Sequence, residues 1–567
     1  MSLQGLDLAV IAIYAIGLLS TALWVSREPA GQTKDTKDYF LAGKSLPWWA
    51  IGASLIAANI SAEQIVGMSG DGFVMGLAIA AYEWQAAIVL IIVATFFLPI
   101  FIKRGIYTMP QFLETRFGDS VKVLMAIFWI FLFTAVNLTT ILYAGAKVIE
   151  GVAGLAVLPG MLAIAVFALV YSIYGGLKAV AFTDIIQVVV LIAGGIIITI
   201  IALGWVGDGA GALAGFSTLM AEIPGHFEMI LSRDNSNYSR LPGIWTLLGG
   251  LWVLHFSYWG FNQYIIQRAL GAESLAEAQK GLAFAALLKF IIPLIVVIPG
   301  IAVLYLTQQG AENLNGQAIA ADPNTMYGSL MALMPTGIRG LIFVALIAAI
   351  VSSLASMINS ISTIFTMDIY RDYLRKGKSE GHYVTIGRVS AIAALLIALV
   401  LAEPLAGGGQ SVFQTIQEYT GFVAPGIVAV FLLGFFWKRT NTPGAFALLI
   451  SSVILSLLFY MASLGAPNEV GAAVPRSEAI SNVMGAIFNP VLGLVNFDVL
   501  SMPFVVRIWF IFLICLVVGV IVSLLTKPPQ VDQPVDLGDI DFATTRGFKV
   551  MAVLIFVILS GLYAFFW

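Results

Sequence analysis

Few polar side chains interrupt the long apolar stretches of this chain, and those that do are types that bind ligands. "SLIAANISAEQIVGMSG" (54–70) carries Asn59, Ser61, Glu63 and Gln64. Glu83 lies in the next apolar stretch and Lys289 in a later one. His255 sits in "GGLWVLHFSYWGFNQYIIQR" (249–268), and Gln417 and Glu418 in "FQTIQEYTG" (413–421). In "AAIVSSLASMINSISTIFTMDIY" (348–370), Ala349, Ser352 and Ser353 stand at i, i+3 and i+4 and so share one helix face. Two adjacent hydroxyls offer oxygens to a hard cation, and carbonyls freed by an unwound helix would complete the shell. Each feature has a plainer use. A buried Glu–Lys pair joins two helices, one imidazole bonds a neighbouring carbonyl, and small polar residues let helices pack closely in lipid. Glu418 reads as reaching water from a span end, and Glu63 as facing a water cavity or a helix end.

The elements that position these residues follow from composition. Of 567 residues, 60% are hydrophobic and 10% charged, which excludes a soluble globular chain. Charge-free stretches of helical membrane length recur, and the short alternating segments of a β-barrel do not occur. If 47–69 spans, Asn59 lies roughly 17 Å in from Trp48, near mid-membrane. Ionisable groups at that depth are costly and mark binding sites or ion paths. Net charge is −3, so nothing points to nucleic acid. The single cysteine, Cys515, excludes an intramolecular disulfide and a cysteine metal site.

Hydropathy predicts an all-α polytopic membrane protein with about fourteen spans: 5–26, 47–69, 77–102, 121–146, 154–174, 182–206, 244–267, 277–308, 338–370, 383–403, 412–437, 442–464, 503–526 and 547–567. Residues 7–25 read as a retained first span, because no basic segment precedes them. Twenty-one of the 28 Lys and Arg follow odd-numbered spans. The positive-inside rule then places both termini outside the cytoplasm. The loops 207–243, 309–337 and 465–502 are rich in Gly, Pro and Asn and read as surface loops or lids. No linker divides the chain, so it forms one membrane domain.

Gly249, Gly250, Gly260 and the run Ser257–Tyr258–Trp259 predict an interrupted seventh span. Broken helices in transporters bind substrate and ions near the midplane. The second and seventh spans would each open a five-helix repeat, although the two halves share no visible sequence similarity.

Six segments together resemble the sodium/solute symporter family, nearest to its bacterial galactose-type members. They are "DYFLAGKSLPWWAIGASLIAANISAEQ" (38–64), "YEW" (82–84), "ALVYSIYGGLKAVAFTDIIQ" (168–187), "YWGFNQYIIQR" (258–268), "AAIVSSLASM" (348–357) and "IQEYTG" (416–421). The resemblance implies a five-plus-five inverted repeat with discontinuous helices. Its core covers about 47–437, with an extra N-terminal helix at 5–26 and C-terminal helices at about 442–567. It also implies alternating access in a bacterial inner membrane, with inward sodium flow driving sugar uptake. Sodium would meet carbonyls of Ala57, Ile60 and Ala349 and hydroxyls of Ser352 and Ser353. Sugar would meet Gln64, Glu83, Lys289 and Gln417. Tyr258 would cover it from the cytoplasmic side, steadied by Asn59, with Trp259 alongside. Met68, Tyr82 and Phe413 match an apolar outer gate. A sugar needs paired donors and acceptors and offers an apolar face to an aromatic ring.

Two positions depart from the galactose pattern. His255 replaces an asparagine, and Ala86 a serine one turn after Glu83. Both changes fall where sugar hydroxyls would bind, so the resemblance implies a hexose-like substrate rather than galactose in particular. Inositol, another polyol or a carboxylate are alternatives within the family. A carboxylate would want a second cation, and only Lys289 is available. A membrane sensor that binds solute without pumping is a further alternative. No nucleophile–base set suggests an enzyme.

Overall fold

The computed structural model describes residues 3–27, 34–311, 313–406, 412–463, 477–528 and 538–567. These are predominantly helical, and among them the only extended pairing is an isolated bridge between Leu46 and Ala272. Twelve helical stretches among the described residues are long and apolar enough to cross a bilayer. Eleven of them coincide with expected spans. The other three expected spans, 47–69, 154–174 and 244–267, are helical but short or interrupted.

The twelfth stretch, Glu478–Val495, corrects the expected loop 465–502, whose residues 464–476 lie outside the described chain. Gly485, Asn489 and Pro490 gave this segment the look of a loop. Ser477 caps its start, accepting from Ile480 N, and Ser481 Oγ donates to the Ala462 carbonyl at 2.8 Å. The other two expected loops carry short helices of their own, including Ala212–Glu222 and Met326–Ala332.

Four elements break where polar residues cluster. Helix Trp48–Asn59 ends at Ile60, which is extended (φ −86°, ψ 112°), and a π-turn, Glu63–Gly67, follows. The seventh span runs Gly250–His255, then a π-turn Phe256–Gly260, then leaves the helix at Phe261 and Asn262. Asn262 restarts it by accepting from Tyr264 N at 3.2 Å. The eighth, expected as one span at 277–308, splits into Leu275–Leu288 and Ile292–Gln308, with Lys289 at the join and Pro293 at the restart. The eleventh splits between Gly421 and Ala424, with Pro425 next. Non-helical backbone survives at membrane depth only where it is enclosed by protein or lines a polar cavity. Four breaks therefore point to one place.

Close packing locks the broken elements together. A Cβ on Gly52 would stand 2.7 Å from the Gly281 carbonyl oxygen, so the second and eighth spans meet backbone to backbone. The long ninth helix, Ile338–Ile364, is unbroken through its serine-rich stretch. Its start is held by Asp7 of the first span, which accepts from Gly337 N, Gly340 N and the Arg339 guanidinium. That buried pairing satisfies helix-terminal N–H groups and explains why Asp7 opens an apolar span.

Candidate functional site

The breaks in the second, seventh, eighth and eleventh elements border one cavity of about 50 Å³. By that measure one water needs roughly 10–15 Å³, so a few fit. Asn59, Gln64, Glu83 and Lys289 line it, as do His255, Tyr258, Trp259 and Gln417. Of the expected gate residues, Tyr82 and Phe413 border it and touch edge to face, with ring centres 5.1 Å apart. Met68 and Ala86 are fully buried but do not line the cavity.

At the centre, Lys289 Nζ donates to Glu83 Oε2 at 2.5 Å and also to Asn59 Oδ1. Its ammonium stands 4.7 Å from the Trp259 ring centre, a cation–π contact. Gln64 Nε2 donates to the other oxygen of Glu83. Asn59 Nδ2 donates to the Tyr258 hydroxyl at 3.1 Å, which also accepts from Tyr264. Every member but the half-buried Tyr258 is buried. Two opposite charges removed from water are tolerated only with such complete hydrogen bonding.

The serine face of Ile338–Ile364 meets the break after Asn59. Ser353 Oγ lies 2.9 Å from the Ala58 carbonyl and 3.5 Å from that of Ile60. Ala57 and Ala349 are buried on the same two helices. The C-terminal end of a half-helix carries partial negative charge on its unpaired carbonyls. Hydroxyl and carbonyl oxygens at this end form a donor set suited to a small hard cation. Ser352 Oγ donates to Asp184 Oδ1 at 2.5 Å, which turns its lone pairs away from the carboxylate.

Sequence reasoning assigned Asp184 no role, although the segment ending "TDIIQ" contains it. Its other oxygen accepts from Ser54 Oγ at 2.5 Å and from Arg268 at 3.4 Å. Arg268 also donates to Ser54, Ser356 and the Tyr264 carbonyl. This second buried pair borders no part of the cavity. Asn137, Tyr264 and Thr420 do line the cavity and were also missed. Asn137 stood alone in an apolar run, with no spacing signal to mark it. Glu418, expected to reach water, is partly exposed and also accepts from Arg507, which donates to Ser463 as well. The partner lies too far along the chain for local pattern to show it.

A match to the sodium:solute symporter family covers residues 39–451. The chain belongs to that family. As a family member it is a sodium-coupled solute transporter of the membrane, not an enzyme. It is 47% identical to a sodium/glucose cotransporter of Vibrio parahaemolyticus, across 100% of this chain and 99% of that one. It is 33% identical to the human sodium/myo-inositol cotransporter 2, across 80% of this symporter and 69% of the human protein. Its fold is shared with a Na+-coupled sialic acid symporter solved in a substrate-bound outward-open state. The TM-score is 0.73 over 93% of this chain and 99% of the other, at 21% identity.

Proposed function

We propose that this symporter couples inward sodium flow to uptake of a neutral hexose-like sugar in a bacterial inner membrane. The carrying observation is the Glu83–Lys289–Gln64–Asn59 network, enclosed beside Trp259 in a cavity walled by four broken elements. That network supplies donors and acceptors with its two charges balanced, which suits a ligand of hydroxyls. Lys289 is already matched by Glu83, which disfavours a carboxylate cargo. Inositol is the second reading, supported by the sodium/myo-inositol relatives.

Sodium would sit between the carbonyls of Ala57, Ile60 and Ala349 and the hydroxyls of Ser352 and Ser353. Asn59 then links the two sites. It is the last residue of the half-helix beside that oxygen set, and its side chain holds both Lys289 and Tyr258. A cation that orders the break fixes Asn59, and through it the tyrosine beneath the sugar. Release of sodium loosens both. Tyr82 and Phe413, closed on one another, form the outer barrier, with Met68 behind them. The cavity must enlarge to hold a hexose. In the architecture that fits this reading, ten of fourteen spans form a five-plus-five repeat, flanked by one N-terminal and three C-terminal spans, and both termini lie outside the cytoplasm.

The decisive experiment is uptake of labelled glucose, galactose, mannose and myo-inositol into proteoliposomes, with and without an inward sodium gradient. Sodium-dependent accumulation of a hexose supports the reading. Binding without accumulation would support a sensor, and accumulation of inositol alone the polyol reading.

A further inference from the structure

One short element of the seventh span touches both the cavity and the surroundings of the serines. The half-helix Gln263–Leu270 restarts after the break at Phe261–Asn262. Tyr264 and Arg268 stand at i and i+4 on it, so they share one face. Tyr264 lines the cavity and donates its hydroxyl proton to the Tyr258 hydroxyl. Arg268 reaches the other way. It pairs with Asp184 at 3.4 Å, donates to Ser54 Oγ at 2.7 Å and also donates to Ser356. Asp184 in turn accepts from Ser352 Oγ at 2.5 Å. Arg268 donates to the Tyr264 carbonyl as well, which ties the two residues to each other. Tyr264, Arg268, Asp184 and the three serines are all buried.

We infer that Tyr264 is a positioning residue that makes the Tyr258 gate respond to sodium at Ser352. This rests on the sodium and sugar sites proposed above and adds a second link between them, independent of Asn59. The reason lies in how the Tyr258 hydroxyl is held. It accepts from Asn59 on one side and from Tyr264 on the other. With both acceptor positions filled, its own proton has one direction left. Asn59 belongs to the second span, whereas Tyr264 opens a half-helix that can tilt about the break before it. Any tilt moves Tyr264 and Arg268 together. A cation on the Ser352 hydroxyl fixes that hydroxyl's bond to Asp184, and through Asp184 the seat of Arg268. The tilt is then fixed, and the Tyr264 hydroxyl stays within reach of Tyr258. When the cation leaves, the half-helix is released and the gate loses one of its two donors. The ring of Tyr264 has a separate role, packed edge to face on Phe133 with centres 5.5 Å apart. Hydroxyl and ring can therefore be tested apart.

The test uses the full-length protein in detergent, with labelled glucose and labelled myo-inositol as probes. Each Kd is measured in a sodium salt and in the choline salt at equal ionic strength, and the ratio of the two is the coupling. Tyr264→Phe keeps the ring on Phe133 and removes only the donated bond. It should lower the coupling by about 3- to 10-fold, the worth of one neutral hydrogen bond, and leave the Kd in choline within about twofold of wild type. By linkage, the gain in sodium affinity caused by the sugar should fall by the same factor. In a Tyr258→Phe background, adding Tyr264→Phe should change the coupling no further, because the acceptor is already gone. A residue that only packs would raise both Kd values alike and would act equally in either background. Unchanged coupling in Tyr264→Phe would overturn the inference. So would failure of that variant to fold, since the loss of one hydroxyl is held to leave the half-helix in place. Wild type that binds neither probe in sodium would instead overturn the sugar reading. Ser352→Ala with unchanged sodium affinity would overturn the sodium reading, and the inference falls with either.

Discussion

Of the buried ion pairs among the described residues, Glu83–Lys289 borders the cavity and Asp184–Arg268 does not. Both join distant spans, and both have all four partners essentially excluded from solvent. Glu83 and Lys289 share their remaining bonds with Asn59 and Gln64, side chains that also face the cavity. Asp184 and Arg268 share theirs with Ser54, Ser352 and Ser356, whose side chains do not line it, and with the backbone carbonyl of Tyr264, which does line it. A pair beside a cavity can exchange its partners for water or cargo. A pair in packed protein cannot, and it serves to hold the serines in place. Burial and charge alone do not separate the two roles; access to exchangeable space does.

The largest effect should come from breaking the packed pair. Arg268→Met strands the Asp184 carboxylate among two serines, at a cost of about 3–5 kcal/mol. Thermal unfolding in detergent should show a large loss of stability that neither sodium nor sugar restores. Lys289→Met should destabilise less, because Glu83 regains water from the cavity. Equal losses in the two variants would erase the distinction.

Breaking the cavity pair should act on transport instead. Glu83→Gln and Lys289→Ala each remove a charged hydrogen bond, about 1.5–3 kcal/mol, and should lower sugar affinity by at least about tenfold. Equilibrium binding of labelled sugar in the folded variants measures this. Unchanged affinity would leave the pair a mere helix tie.

Between the two pairs lies Ser353, whose hydroxyl meets the broken end of Trp48–Asn59. Ser353→Ala should keep the fold and lose sodium-driven uptake, with the sodium KM raised by about tenfold for one lost ligand. The smallest effect sharpens the cavity's edge. His255→Asn should re-rank glucose and galactose, whereas Ala86→Ser alone should change the ranking little, by under about 0.5 kcal/mol, since Ala86 lies off the cavity. A competition assay with both sugars reads the difference, and a large effect of Ala86→Ser would extend the site beyond its described wall.

Apolar length made the spans legible, and the cost of charge in lipid made Glu83 and Lys289 legible. What escaped depended on partners far along the chain or on breaks without a strong local mark. The glycines placed the seventh interruption near 249–260. The backbone does turn at Gly249, but the main departure is at Phe261–Asn262, where a side-chain cap restarts the helix. The break at Lys289 was hidden because Pro293 sits in an otherwise continuous apolar run. Asp184 was visible as a carboxylate in a span but not as the anchor of Ser352, since the hydrogen bond crosses 168 residues. Asn137 carried no signal beyond its own polarity.

The glycines of the second span have a consequence beyond packing. A Cβ on Gly70 would stand 2.7 Å from the Pro323 carbonyl carbon, and one on Gly76, held at φ +70°, would stand 2.7 Å from that of His226. Pro323 and His226 belong to the long segments 309–337 and 207–243, so each rests its backbone directly on the half-helix Met68–Met75 or its end. Loop and half-helix are therefore packed backbone to backbone, with no room for a side chain between them. An antibody fragment bound to either loop would bias the arrangement of the half-helix beneath it, and should change turnover and, by linkage, the cargo's apparent affinity together. Transport would then be governed by a handle that never meets the sugar.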